Sequence, residues 1–187
     1  MKHLGTKKLE TERLILRPFV VEDAEIMYKN WASDPEVTKF LIWPPHESVQ
    51  VTRSLLEDWI SQYNKKEFYH WTIILKENGD EPIGSISVVS KDDAIQMVHI
   101  GYCIGKKWWR QGVTSGALAA LIQFFFEEVG VNRIELKHDT NNPNSGKVMM
   151  KCGLKYEGTH RAAGLNNQGI CDSAMYGILA KDYFAAK

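Results

Sequence analysis

The segment that most restricts the fold is a strand–helix–strand unit in the second half of the chain. Residues 97–104 (MVHIGYCI) are apolar on both faces, which predicts a central strand of a sheet. Residues 114–128 (TSGALAALIQFFFEE) are apolar almost all round, which predicts a buried helix. Residues 133–138 (RIELKH) alternate in polarity and predict another strand. The three together indicate a crossover between parallel strands, with a helix layer packed on a sheet.

The rest of the chain adds further strands and helices around this unit. An Asn78-Gly79 pair between two apolar runs favours a hairpin. The Gly/Asn-rich segment AAGLNNQG reads as a loop between the last two strands. We therefore predict an α+β fold with a mostly antiparallel sheet, in a single domain over residues 1–187. The other predicted strands are 12–19, 68–75, 82–89, 154–160 and 171–179, and the other predicted helices are 22–32, the segment after Ser48, and 145–152.

Composition excludes several classes of protein. Lys and Arg total 23 and Asp and Glu total 23, so the formal net charge is zero, which argues against a nucleic-acid partner. Cys103, Cys152 and Cys171 form no CxxC pair, so we expect no metal site and no disulfide scaffold. The N-terminus lacks the apolar core of a signal peptide, and no apolar run approaches the ~20 residues that span a bilayer. We expect a soluble protein of a reducing cytoplasm, with no membrane partner.

The loop GKKWWRQGVTSG, which leads into the buried helix, has the features of an anion site. Gly112 and Gly116 relax the backbone, and the first helical turn offers free N–H groups at the positive end of a dipole. Arg110, Lys106 and Lys107 add positive charge. Walker A, GxGxxG and GxSxG patterns are absent. The alternative is an ordinary glycine-capped helix that begins with a solvated basic turn.

Several segments in order resemble one enzyme family. The strand IGYCI, the loop WWRQGVTSGA, the segment NPNSGKVMMKCGLKYEG and the start LETERLILRPFVVEDAEIMY resemble the GNAT superfamily of acetyl-CoA-dependent N-acetyltransferases. The closest branch is the Rim-type ribosomal-protein N-terminal alanine acetyltransferases, and the resemblance covers nearly the whole chain. It implies a mixed, twisted sheet with helices on both faces. It also implies that the sheet splays near the middle of strand 97–104, with acetyl-CoA as co-substrate in the gap.

The resemblance also implies which residues hold acetyl-CoA. The loop departs from the family pattern at Thr114, whose side chain either crowds the pyrophosphate or donates its hydroxyl, and we favour the second. Asn142 is expected at the pantetheine arm, with an Asn-Pro turn residue as the alternative. The complete set of cofactor-binding residues implied by the resemblance is Tyr102, Cys103, Ile104, Trp109, Arg110, Gln111, Gly112, Val113, Thr114, Ser115, Asn142 and Lys151.

Acetyl transfer to an amine requires a neutral amine, a stabilised oxyanion and a protonated leaving thiolate. Ser145 resembles the residue that faces the CoA sulfur in this branch, and the alternative is an N-cap of helix 145–152. His99 lies where relatives often carry Glu, and an imidazole can take a proton from an ammonium. The alternative is a satisfied core or edge histidine. Backbone N–H groups over Gly101–Cys103 are expected to face the oxyanion, with Gly101 allowing a bulge.

In such a fold the acceptor enters on the side opposite the CoA. We expect Trp31, Trp43 and His46 to contact it, beside the hairpin loop 162–170; the alternative is that both tryptophans are core residues. The predicted function is acetyl transfer from acetyl-CoA directly to a primary amine: a peptide or protein N-terminus, or a small metabolite or antibiotic. Alternatives are a transferase of another acyl group such as succinyl, a non-catalytic acyl-CoA-binding module and a ribosome-associated binding protein. The protein is expected to be a monomer or a homodimer.

Overall fold

The strands form one mixed sheet. The computed structural model describes residues 1–187, with sheet order β1-β2-β3-β4-β5-β6-β8-β7. Every neighbouring pair is antiparallel except β5 and β6, which are parallel. The α+β prediction and its single parallel crossover are therefore confirmed. The strands are β1 (Leu9–Glu10), β2 (Leu14–Arg17), β3 (His70–Leu75), β4 (Pro82–Asp92), β5 (Met97–Ile104), β6 (Arg133–Asp139), β7 (Lys155–Asn166) and β8 (Gly169–Leu179).

The sequence predicted four of the six helices, and the two that it did not predict are short. The helix after Ser48 begins as expected, because the Ser48 hydroxyl accepts the Val51 N–H at 3.4 Å. Two helices continue into π-helical turns, at Tyr28–Ala32 and Phe125–Val129. None is both long and apolar enough to cross a membrane. The helices are α1 (Asp23–Met27), α2 (Pro35–Thr38), α3 (Val49–Gln62), α4 (Val113–Phe124), α5 (Pro143–Lys151) and α6 (Ala180–Ala185), of which α2 and α6 were not predicted.

Helices cover both faces of the sheet, and each face has its own core. On one face, α4 contributes fully buried side chains such as Leu118 and Leu121 to the larger core, as its apolar sequence predicted, and residues of β5 and β6 belong to the same core. On the other face, α1 and α3 enclose a smaller core that includes Trp31 and Leu56, and Cys103 of β5 packs against it. Successive residues of β5 thus point alternately to the two cores, with Ile104 in the first and Cys103 against the second.

The final hairpin is longer than predicted. The segment read as a loop is paired strand nearly to its tip, where Asn166 pairs with Gly169. The pairing is interrupted by a bulge between His160 and Gly164, within which Ala162 has a φ of 49°. The Ala162 N–H donates to Asp172 Oδ1 at 2.7 Å. The bulge interrupts the alternating pattern of the strand, so the sequence indicated a loop.

The half-buried His70 of β3 gives the protein a testable pH dependence. The ring of His70 lies 3.8 Å from that of Trp59, and burial lowers the pKa of His70 to about 3. The unfolded chain binds a proton at this residue below pH about 6.5, and the folded chain does not until pH about 3. The unfolding free energy is therefore expected to fall as the pH drops through that window. Urea unfolding at pH 7 and pH 5 should show that the unfolding free energy falls less between these two pH values in His70→Gln than in the wild type. An equal loss in both proteins would contradict this assignment.

Candidate active site

The sheet opens into a gap between its two parallel strands. β5 and β6 are paired only at Met97–Arg133, Val98–Ile134 and His99–Glu135. Beyond those pairs, β5 continues to Ile104 against β4 alone, and β6 continues to Asp139 against β8 alone. The predicted splay near the middle of strand 97–104 is therefore confirmed, and the gap begins directly after His99.

Backbone groups of β5 line one side of this gap. The Gly105 N–H donates to the Ile83 carbonyl at 2.9 Å, toward β4. Because hydrogen-bonded pairs alternate along an antiparallel ladder, the backbone polar groups of Tyr102 and Ile104 lie on the opposite side, along the gap. The Ile104 carbonyl already accepts the Trp109 indole N–H at 2.9 Å. Tyr102 therefore offers its N–H to a group in the gap.

The predicted bulge lies in β4 and not in β5, so its placement at Gly101 was wrong. The register of β4 against β5 shifts at Val89, opposite His99 and Ile100. A Cβ on Gly101 would lie 2.9 Å from Val89 Cγ1. The glycine therefore makes room for the bulged side chain of the neighbouring strand. Hydrogen-bonded pairs alternate along the ladder, so the N–H groups of Gly101 and Cys103 face β4, and within the predicted range only the Tyr102 N–H faces the gap.

The loop before α4 forms the open N-terminus that the sequence predicted. Gly112 is the N-cap residue and has a φ of 77°, in the region that favours glycine. Its carbonyl accepts the Ser115 hydroxyl and the Gly116 N–H, each at 2.9 Å. The Ser115 hydroxyl therefore does not cap the first-turn amides. The N–H groups of Val113 and Thr114 remain available to an anion at the positive end of the helix.

The two lysines of this loop do not face that helix end. The Lys106 ammonium forms an ion pair with Glu36 of α2. The Lys107 ammonium lies 5.0 Å from the centre of the Trp108 ring. Both charges are therefore engaged away from the amides, contrary to the expectation that they add charge to the anion site.

Two other cations approach the loop instead. Lys151, at the end of α5, places Nζ 3.9 Å from the point where a side chain on Gly112 would begin. Arg13, just before β2, donates from Nη1 to the Gln111 carbonyl at 3.1 Å. The sequence predicted Lys151 but missed Arg13, because no local pattern joins residue 13 to a loop nearly a hundred positions later.

Ser145 lies across the gap from β5, where its hydroxyl meets a tyrosine. Its Oγ is 2.9 Å from the Tyr102 hydroxyl, which also donates to the Ser145 carbonyl at 3.0 Å. The N-cap of α5 is Asn142, so Ser145 is inside the helix and its hydroxyl contacts Tyr102 instead of capping. Burial raises the pKa of Tyr102, which keeps its phenol protonated. The Asn142 side chain makes no capping bond.

His99 occupies the last paired position before the gap. It is 8% exposed, and its Nδ1 lies 3.3 Å from Glu135 Oε1. Burial lowers the pKa of His99, and the Glu135 carboxylate opposes that shift. The imidazole is therefore neutral at pH 7, the form required to accept a proton.

The predicted acceptor residues divide between surface and core. Trp31 is 0% exposed and belongs to the core under α1 and α3, so it has no surface to offer an acceptor, contrary to expectation. Trp43 and His46 are partly exposed, and their rings lie 5.2 Å apart. The tip of the final hairpin meets this loop, because Asn167 Nδ2 donates to the carbonyls of Thr38 (2.8 Å) and Trp43 (2.7 Å).

A splayed strand beside an open helix N-terminus is what the family resemblance implied. The family described as the acetyltransferase (GNAT) domain matches residues 13–155 of the 187. The chain is a GNAT acetyltransferase. The match includes β2 to the start of β7, and with them every element that lines the gap.

Known relatives of this acetyltransferase agree with the assignment. It is 32% identical over 175 residues to the uncharacterized N-acetyltransferase p20 of Bacillus licheniformis, covering 94% of this chain and 97% of that protein. It is 28% identical over 137 residues to the ribosomal-protein-serine acetyltransferase of Escherichia coli K12, covering 73% and 75%. The structure of RimL, a ribosomal L7/L12 alpha-N-protein acetyltransferase in complex with coenzyme A, superposes with a TM-score of 0.82. That match has 20% identity and covers 92% of this chain and 98% of RimL. The resemblance to the Rim-type branch is confirmed.

Proposed function

We propose that this enzyme transfers an acetyl group from acetyl-CoA directly to a primary amine, either of a peptide or protein N-terminus or of a small molecule. The observation that carries the proposal is the gap between β5 and β6, which adjoins the glycine-capped N-terminus of α4. The coenzyme A bound by RimL and the acceptor class named for the Escherichia coli relative support it.

The residues around the gap fit the chemical groups of acetyl-CoA. The amides at the start of α4 suit a pyrophosphate, and Gly112 presents no side chain to it. Lys151 supplies a nearby positive charge, and Asn142 suits the amides of the pantetheine arm. The free backbone N–H of Tyr102 lies along the same gap. Thr114, in the first turn of α4, adds a hydroxyl donor to this set.

Each chemical requirement of the reaction has a residue beside the gap. Acetyl-CoA, when bound, supplies an acyl group activated as a thioester. Neutral His99 accepts the proton that the acceptor ammonium must lose. The Tyr102 N–H stabilises negative charge on the acyl oxygen, as an oxyanion-hole donor does. The Ser145 hydroxyl donates to the departing sulfur, and Tyr102 supports it from behind.

Binding of the donor is expected to stabilise the fold. Acetyl-CoA at 100 times its dissociation constant should add about 2.7 kcal/mol to the unfolding free energy. For a chain of this length, that corresponds to a rise in Tm of roughly 5–10 °C. The measurement is a thermal melt with acetyl-CoA, succinyl-CoA or AMP, the last as a control that lacks the pantetheine arm. An unchanged Tm at saturating acetyl-CoA would refute the proposal. A larger rise in Tm with succinyl-CoA would indicate that succinyl-CoA is the preferred donor.

A second measurement must test catalysis, because a non-catalytic acyl-CoA-binding module would show the same rise in Tm. We expect release of free CoA thiol only when acetyl-CoA and an accepting amine are both present. A screen of peptides with different N-terminal residues, polyamines, aminoglycosides and aminoacyl-nucleotides should identify that amine. Thiol release that never exceeds the amine-free rate with any of these acceptors would exclude the enzyme assignment in favour of acyl-CoA binding.

A further inference from the structure

A chain of charged side chains connects His99 to the outer strands of the sheet. The first link is Glu135, the Cα partner of His99 in the last pair before the gap. Its Oε1 lies 3.3 Å from His99 Nδ1. Its Oε2 accepts from Arg133 at 3.2 Å (Nε) and 3.1 Å (Nη2). Each carboxylate oxygen thus has its own partner, so the carboxylate cannot rotate without losing one of these hydrogen bonds.

Arg133 is in turn held by Glu157 of β7. The two side chains form a double hydrogen bond, with Nη1 to Oε1 at 2.9 Å and a shorter one from Nη2 to Oε2. This pair lies directly on Gly177 of β8, where an added Cβ would approach Glu157 Oε1 to 2.6 Å and Arg133 Nη1 to 2.8 Å. Glycine at this position therefore lets the pair lie flat on the sheet.

We propose that Glu135 is a positioning residue that holds His99 in the tautomer protonated at Nδ1, so that Nε2 carries the lone pair. The proposal rests on the proposed function, in which His99 accepts the proton of the acceptor amine. A histidine N–H that donates to a carboxylate fixes the tautomer of its ring. Arg133 keeps that carboxylate oriented, and Glu157 keeps Arg133 in place.

The surroundings of His99 indicate how the charge of Glu135 acts. The charged groups near the ring are Glu135 and Lys137, both on β6, whereas β4 presents the uncharged Ser90 as its partner. Burial and Lys137 lower the pKa of His99, and Glu135 raises it. Removing the charge of Glu135 should therefore move the acid limb of the pH profile to lower pH.

The tautomer can be measured without any assay of acetyl transfer. In ¹⁵N-correlated NMR spectra at pH 8, the His99 signal, identified by its loss in His99→Gln, should show protonated Nδ1 and unprotonated Nε2. Glu135→Gln has a single oxygen, which the charged Arg133 side chain takes through its two N–H donors, so the amide NH2 faces Nδ1 and the tautomer should be lost. Glu135→Ala should lose it as well, whereas Glu135→Asp keeps a carboxylate and should retain it. Glu10→Gln removes a carboxylate from an ion pair on the edge strand β1, outside this network, and its spectrum should match the wild type.

Activity then tests what the tautomer does. Glu135→Ala should lower kcat about tenfold or more with little change in KM for acetyl-CoA. Glu135→Asp, which keeps a carboxylate, should recover part of that loss, and Glu135→Gln, which removes the charge, should move the acid limb to lower pH. An Nε2-protonated ring in the wild type, or an unchanged tautomer in Glu135→Ala, would overturn the proposal. Wild-type turnover in His99→Ala would instead refute the base role in the proposed function, whatever the tautomer.

Discussion

Replacing Ser145 by alanine should lower kcat about 10²-fold and leave the affinity for acetyl-CoA nearly unchanged. The reason is the hydrogen bond at 2.9 Å between Ser145 Oγ and the Tyr102 hydroxyl beside the gap. The single phenol proton of Tyr102 can go either to the Ser145 carbonyl or to Oγ. When it goes to Oγ, the Ser145 proton is free for the departing sulfur, a donation worth roughly 10²–10⁴ in rate. The measurement is steady-state thiol release with a saturating amine, together with the thermal shift caused by acetyl-CoA.

Two further variants distinguish the chemical role of Ser145 from a structural one. Ser145→Thr keeps the hydroxyl and should retain most of the activity. Tyr102→Phe removes the supporting phenol but leaves Ser145 in place, so we expect an intermediate loss. Burial raises the pKa of Tyr102, so its phenol acts as a donor throughout the assay range. If Ser145→Ala turned over at the wild-type rate, the hydroxyl would have no part in the chemistry.

Replacing His99 by alanine should lower kcat/KM for the amine by roughly 10²–10⁴-fold at pH 7, the range for loss of a general base. The loss should shrink as the pH rises, because the amine then loses its proton to solvent. Burial lowers the pKa of His99, so the wild-type enzyme should keep its base in the active form on the acid side of pH 6.5. The measurement is the pH profile of kcat/KM from pH 5 to pH 9.

His99→Gln is the matched control for this experiment. Glutamine keeps a hydrogen-bonding side chain at the position but cannot accept a proton in this range. We therefore expect His99→Gln to fold as stably as the wild type and to be as inactive as His99→Ala. Activity equal to wild type in His99→Gln would mean that His99 has only a structural role.

Much of the fold was predictable because its signals are local. The apolar run at 97–104 and the helix at 114–128 require burial whatever surrounds them, and both lie where expected. The Asn78-Gly79 signal correctly indicated the β3–β4 hairpin. The missed elements are short, such as β1 and α2, or lie where a bulge breaks the pattern, as at Ala162. Their formation depends on partners distant in sequence.

The candidate site was predictable where a motif carries it. Gly112, Ser145 and the splayed strand were expected from the resemblance and lie around one gap. The partners of those residues could not be read from the sequence. The contact between His99 and Glu135 depends on the register of two strands separated by a whole helix. The burial of Trp31 depends on how α1 packs against α3.

The short pairing of β5 with β6 also bears on how the molecule responds to its ligand. Beyond His99, β5 has a neighbouring strand on one edge only. The same is true of β6 beyond Glu135. A pantetheine arm carries amide groups of its own, and in the proposed function those amides pair with backbone groups along these open edges. Donor binding then extends an incomplete sheet, and the backbone amides beside the gap, such as Tyr102, should exchange their hydrogens more slowly once it is filled.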